Sequence, residues 1–303
     1  MKVVIPTPLT VLSNTVPETD AADGPEWDAA TTYGPDDVVR RHHVRYKSII
    51  IGANKGADPE TSHDGLTAKW RRLGMTNRHA LLDDFLNTQT VARGETSLTF
   101  SVPFSRCTSF ALLNMDAAEV HVKVCDDTGD VFYENHHLMT ADLTSFSAFQ
   151  YCFYPISAGR DIVATEVPMP ILGTLEVTLT ATENPAIGQV VCGRSHSIGQ
   201  TQHDAEVGET DYSRRQTDQF GVTTFVKGAS AGNMDLNIYL HPERSDAVNR
   251  ILSDLRATPA LWVGDNSDQG HQALTIWGWR EDFRLRYAGP NNMELRLSVQ
   301  GLI

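Results

Sequence analysis

No window of the 303-residue sequence approaches the ~20 consecutive apolar residues that a membrane-spanning helix needs, so helical membrane insertion is not expected. The opening residues, Met1-Lys2-Val3-Val4-Ile5-Pro6, lack the apolar core of a secretory signal, so the chain is expected to be made and folded in the cytoplasm. Positive charge is scarce. Twenty-five Lys and Arg stand against 38 Asp and Glu, for a net charge of -13 and a pI near 5.2. This balance removes the broad basic footprint that nucleic-acid binding requires and favours a soluble surface. No HExxH and no CxxC occurs. The four cysteines, Cys107, Cys125, Cys152 and Cys192, are spaced by 18, 27 and 40 residues, which matches no zinc pattern. They read as small buried apolar thiols, with a disulfide between two strands left open. Internal repeats and low-complexity tracts are absent as well.

What is present is enough for a core. Apolar residues make up 41% and charged residues 21%, which excludes a disordered chain. The length allows roughly two domains of ~150 residues each. Residues 1–24 carry Pro6, Pro8 and Pro17 ahead of the acidic run 18–24, and read as an extended arm and linker. The arm's apolar residues, among them Val3, Val4, Ile5 and Leu9, suit docking, for instance on a neighbouring copy. Residues 25–74 form a small unit with short strands at 38–40 and 44–51, separated by turn chemistry at 33–37 and 54–59.

From about residue 75 the pattern is that of β structure. Residues 97–102, 119–124 and 175–180 alternate apolar and polar with period 2, as half-buried strands do. Strand, turn and strand are expected across 119–133, and further strands at 188–193, 223–226, 234–240, 261–264, 274–279, 283–287 and 293–299, with a turn around 265–270. The period then changes in one place. Val248, Ile251, Leu252 and Leu255 recur at i, i+3, i+4 and i+7, which predicts a helix over about 245–257, capped by Ser245 and ended before Pro259. The fold class expected is mainly β: the small N-terminal module, then a β-sandwich-like body over 75–303, divisible near 185/186, with one clear helix.

Patterns that could carry chemistry are weak. Gly193-Arg194-Ser195-His196-Ser197 is G-x-S-x-S and not a nucleophile elbow, and the following stretch does not read as a helix. Ser195 therefore reads as part of a glycine-flanked loop between strands. The pairs His42-His43 and His136-His137 would point to opposite faces of a strand, which rarely gives one metal two ligands. The runs 126–130 and 265–270 hold hard oxygen ligands, yet they fit turns better than the twelve-residue calcium loop. The basic stretch 40–47 could face an anionic polysaccharide or an acidic partner, and reads first as a solvated strand face. No metal, no cofactor and no enzymatic reaction is expected.

Two resemblances go further. Trp27-Asp28-Ala29-Ala30-Thr31-Thr32-Tyr33, Asp36-Asp37-Val38-Val39, Val44-Arg45-Tyr46-Lys47-Ser48, Asn54-Lys55-Gly56, Pro59 and Trp70-Arg71-Arg72-Leu73-Gly74 together resemble small chitin- and cellulose-binding modules of the family 5/12 type. The resemblance implies that Trp27, Tyr33, Tyr46 and Trp70 organise a tiny β-fold and are the candidate carbohydrate-binding residues. Where that family shows exposed aromatics after the strand Tyr, this chain has Lys47-Ser48-Ile49-Ile50-Ile51-Gly52. The change suits a spacer or protein-docking unit and leaves Tyr33 as the candidate for sugar stacking. Residues 70–83, with Gly74-Met75-Thr76-Asn77-Arg78, the stretch 211–221, and the ending with 259–263, Ile276-Trp277-Gly278-Trp279 and Phe283, resemble structural proteins of tailed bacteriophages. That resemblance implies a virion protein of the tail, tail tip or baseplate region, assembling as repeated copies with other tail proteins. The alternative is a carbohydrate-binding protein touching host-surface glycan through the N-terminal module. A hydrolase of cell-wall or capsule polymer comes last.

Overall fold

The computed structural model describes residues 1–65, 67–83, 85–139, 159–217, 220–221, 223–265, 272–287, 289 and 293–302. Cys152, positions 266–270 of the expected turn, and Asp218 and Gln219 of the 211–221 stretch lie outside these residues. The architecture is mainly β. β1 (Lys2–Pro6) and β2 (Ser13–Asn14) come first, and β3 (Thr32–Tyr33), β4 (Val38–Arg41), β5 (Val44–Ser48), β6 (Asn54–Lys55) and β7 (Trp70–Met75) build the small module. The body begins with β8 (Thr90–Val91), β9 (Ser97–Ser105), β10 (Ser109–Leu113), β11 (Glu119–Asp126), β12 (Val131–Leu138), β13 (Ile162–Thr165), β14 (Leu172–Thr180), β15 (Ala186–Ile187) and β16 (Gln189–Ser197). It continues through β17 (Gln200–Thr201), β18 (Glu206–Asp211), β19 (Arg214–Thr217), β20 (Thr223–Val226), β21 (Ser230–Leu240), helix α1 (Ser245–Asp254), β22 (Ala260–Val263), β23 (Thr275–Tyr287) and β24 (Met293–Gly301). No helix among the described residues is long and apolar enough to cross a membrane.

Two antiparallel sheets make the body. A five-stranded sheet runs β12-β11-β14-β9-β2, and a ten-stranded sheet runs β13-β10-β16-β1-β22-β23-β24-β21-β17, with β18 also on β21. In the smaller sheet the period-2 pattern becomes three cross-strand rows: Leu98-Leu179-Val120, Phe100-Val177-Val122 and Val102-Leu175-Val124. All nine side chains are fully buried, each stabilising by about 1.5–3 kcal/mol on transfer from water. They pack on Phe110, Leu112, Val190 and Cys192 of β10 and β16, so the two sheets share one sandwich core. The other half of the large sheet packs on α1 through Val248 and Leu252, and on Leu255 just past its end. Arg244 occupies the N-cap position of α1 with no side-chain cap bond. Ser245, expected to cap the helix, instead donates its hydroxyl to the Pro242 carbonyl at 2.7 Å.

The N-terminal segment differs most from expectation. Residues 1–24 are not a free arm. β1 is an interior strand of the large sheet, antiparallel to β16 on one side (Lys2↔Ser197 to Pro6↔Gly193) and to β22 on the other (Lys2↔Val263 to Val4↔Leu261). Val3 and Val4 are buried on opposite faces, as strand geometry requires. The fit against β1 is close enough to demand glycine: a Cβ on Gly193 would lie 2.1 Å from the Ile5 carbonyl oxygen. Residues 13–14 then pair with β9 of the smaller sheet, so the first fourteen residues join both sheets. The large sheet also runs unbroken from β10 through β16 to β22, across the division near 185/186. Ser195 lies within β16, paired with Val4 in extended backbone, so the loop expected around it is a strand.

Candidate interaction site

The module core is built from the residues that the carbohydrate-module pattern singles out. Tyr33, Val39, Tyr46 and Trp70 are buried together, with Trp27 and Val44 packed against them. Tyr33 and Trp70 meet edge to face at 5.4 Å, a favoured aromatic geometry. The Trp70 indole donates to the Ala57 carbonyl at 2.9 Å, and the Tyr33 hydroxyl accepts from the Asp28 amide at 2.7 Å. Burial pushes the Tyr46 phenol above its ordinary value. Tyr33, Tyr46 and Trp70 are thus buried in the module core, and Tyr33 offers no open face to a sugar. Trp27 is half-buried, and the Arg41 guanidinium stands 5.2 Å from its ring centroid. What the module does expose is aliphatic: Ile49 is 48% and Ile51 97% accessible.

The basic stretch 40–47 is internally neutralised. Arg40 pairs with Glu26, Arg41 with Asp58, His42 with Glu60, His43 with Glu18, Arg45 with Asp23 and Lys47 with Asp36, at 2.6 to 3.8 Å. His42 and His43 are the two central residues of the β4–β5 hairpin, at φ 45° and 64°. That left-handed pair is the geometry of a two-residue hairpin turn, usually filled by Asn or Gly.

Below the module lies a junction that the Thr76-Asn77-Arg78 sequence makes. The buried Asn77 accepts from the Val91 amide and donates to Val91 O and Asp20, while its own amide donates to both oxygens of Asp23. Arg78 donates to Val16 O and pairs with Glu18. The Thr76 amide donates to His43 O at 2.7 Å. One short segment thereby clasps the linker, the hairpin tip and β8. Burial pushes the Asp23 carboxyl up, against the lowering pull of the Asn77 amide and Arg45. Burial, then the neighbouring His43, holds His79 below its ordinary value.

At the far end, β18 to β21 form a ribbon. β18 pairs with the start of β21 (Glu206↔Asp235 to Asp211↔Ser230), and β19 continues on β20 (Arg214↔Val226 to Thr217↔Thr223). Tyr212 and Ser213 carry the pairing across: the Tyr212 amide donates to Ala229 O and the Gly228 amide to Ser213 Oγ. Hydrogen bonds from Ser213 hold the Asp211 carboxyl below its ordinary value. Residues 212–217 extend roughly 20 Å at ~3.3 Å per residue. Every residue of β19 and β20 is exposed, so neither face of this stretch is covered. Yet it carries Tyr212, Phe225 and Val226, at 47%, 77% and 47% accessibility. The sequence predicts β20 at 223–226, whereas the polar run Arg214–Thr217 gives no strand signal, and nothing in either segment marks them as leaving the sheet. No protein-family model, curated protein or solved structure matches the chain.

Proposed function

We propose that this chain is a structural component of a bacteriophage virion tail, in the tail, tail tip or baseplate region, assembling as repeated copies and docking other tail proteins. The reading assigns the chain no reaction and places it in the virion after synthesis in the host cytoplasm. The observation that carries its assembly part is the ribbon. A two-stranded hairpin without a covered face is marginal in water, and exposed Phe and Val cost free energy until a partner covers them. Phe225 and Val226 on such a ribbon suit a neighbour's surface. The phage assignment itself rests on the motif resemblance at 70–83, 211–221 and 259–283.

The module has a matching part in this reading. Its aromatic residues face its own core and its exposed large residues are Ile49 and Ile51, which favours a protein partner over a pyranose ring. The test is light scattering after size exclusion over a range of concentrations, on the full chain and on Phe225→Thr with Val226→Thr. A closed oligomer for the first and a folded monomer for the second support the reading. A monomer in both forms, retained on insoluble chitin and released by Trp27→Ala, overturns it in favour of the carbohydrate-binding alternative.

A further inference from the structure

The junction gathers a second set of groups that neither the assembly reading nor the module resemblance uses. Glu18 comes from the linker, His43 from the hairpin tip and His79 from the turn after Arg78. Each offers one ligand atom, and these three atoms all lie within 4.8 Å of one another. His43 Nδ1 stands 2.6 Å from Glu18 Oε1, and the two imidazole centroids are 4.1 Å apart. We infer that Glu18, His43 and His79 form a binding site for a divalent transition-metal ion of the Zn2+ class, which pins the module hairpin to the linker and the body.

Three observations support this. The donor set is right: two imidazole nitrogens and one carboxylate oxygen suit Zn2+ and its neighbours, whereas Ca2+ and Mg2+ prefer oxygen alone. The spacing is close: donors about 2.0–2.1 Å from a tetrahedral ion stand about 3.3 Å apart, so shifts of under roughly 2 Å bring the three into place. The groups are also held from behind, as metal ligands generally are. Thr76 fixes both histidines, because its amide donates to His43 O, its carbonyl accepts from the His79 amide, and its hydroxyl lies 3.3 Å from His79 Nδ1. Arg78 Nε holds Glu18 Oε2 at 3.2 Å and leaves Oε1 toward the histidines. An ion there replaces the His43–Glu18 hydrogen bond and leaves its remaining coordination to water. Adjacent histidines in the sequence gave no hint of this set, because the partners are 25 and 36 positions from His43.

The experiment is equilibrium dialysis of the full chain against Zn2+, paired with the visible absorption of the Co2+-substituted protein. Expected are one ion per chain, a low-symmetry Co2+ spectrum, and at least about tenfold weaker binding in Glu18→Gln and in His43→Asn, which keeps the left-handed turn. Because His79 is half-buried, its replacement could unfold the junction, so Thr76→Val serves as the positioning variant, with binding about 10–100-fold weaker at unchanged circular dichroism. His121 and His136, whose rings lie 6.2 Å apart on β11 and β12, supply the control. Absent uptake from equimolar Zn2+, or uptake unchanged in Glu18→Gln and His43→Asn but lost in His121→Ala with His136→Ala, overturns the inference.

Discussion

Replacing Val3 and Val4 tests whether the first residues belong to the fold or reach out of it. Val3 is fully buried on the helix side of the large sheet, beside Trp262, its register partner in β22. Val4 is buried on the other face, among Ala111, Leu113, Val191, Leu261 and Trp277. Each Val→Ala change removes two carbons, worth about 0.8 kcal/mol each in transfer, and leaves a cavity, for about 2–3 kcal/mol in total. The two side chains lie in different clusters, so the double variant loses about 4–6 kcal/mol, set against a typical domain stability of about 5–15 kcal/mol. Deleting residues 1–12 goes further, because β16 and β22 then lose the strand between them. The assay is urea unfolding followed by tryptophan fluorescence, which Trp262 reports at the site. Expected are a large fall in midpoint for Val3→Ala with Val4→Ala and no cooperative transition for the deletion. Val226→Ala, on the exposed ribbon, changes stability by under about 0.5 kcal/mol. A deletion variant that stays monomeric and unfolds cooperatively, or a double variant with an unmoved midpoint, would refute the placement of β1 and restore a docking arm.

Three further outcomes follow from the junction and the core. Asn77→Asp sets a third carboxylate against Asp20 and Asp23 and is expected to cost at least about 2–3 kcal/mol by thermal or urea unfolding, more than Asn77→Ser. Asp23 has a folded-state pKa raised above its ordinary value, so the folded form binds its proton more tightly than the unfolded form. Its contribution is present below the ordinary carboxylate range and lost as pH rises through the raised value. The stability of Asp23→Asn relative to wild type should therefore climb across that window, and a flat difference would contradict the burial-driven shift. Cys107, Cys125 and Cys192 are buried free thiols, and burial holds the Cys192 thiol far above the reactive range. Peptide mapping after brief alkylation should find Cys192 unmodified in the native protein and modified in urea, and rapid native labelling would argue against a closed sheet.

Much of this fold was legible in the chain because strands with one buried face impose period 2 on the sequence. The rows at 97–102, 119–124 and 175–180 are β9, β11 and β14, and the lone 3.6-residue period is α1. The aromatic residues of the module were legible too, since tiny domains need large side chains to make a core. Local pattern could not assign their direction. Sugar-binding and core aromatics have the same identities and spacing, and only the packing of Tyr33 on Trp70 decides which way a ring faces. The ribbon was half legible: β20 lies at the strand expected over 223–226, while the polar β19 is a strand only through its pairing with β20, and neither has a covering layer.

The N-terminal segment shows the division most clearly. Its sequence determined that residues 2–6 are extended around the apolar run Val3-Val4-Ile5, because Val and Ile favour strands and Pro6 ends the run. Whether that strand pairs within the chain or with a neighbour depends on which edges lie open nearby, and those edges belong to β16 and β22, more than 180 positions away. The Glu18–His43–His79 grouping has the same origin. The sequence determined the side chains and their local backbone, and the tertiary structure alone decided which of them meet, because contacts between distant segments are set by the closing of sheets and not by spacing along the chain.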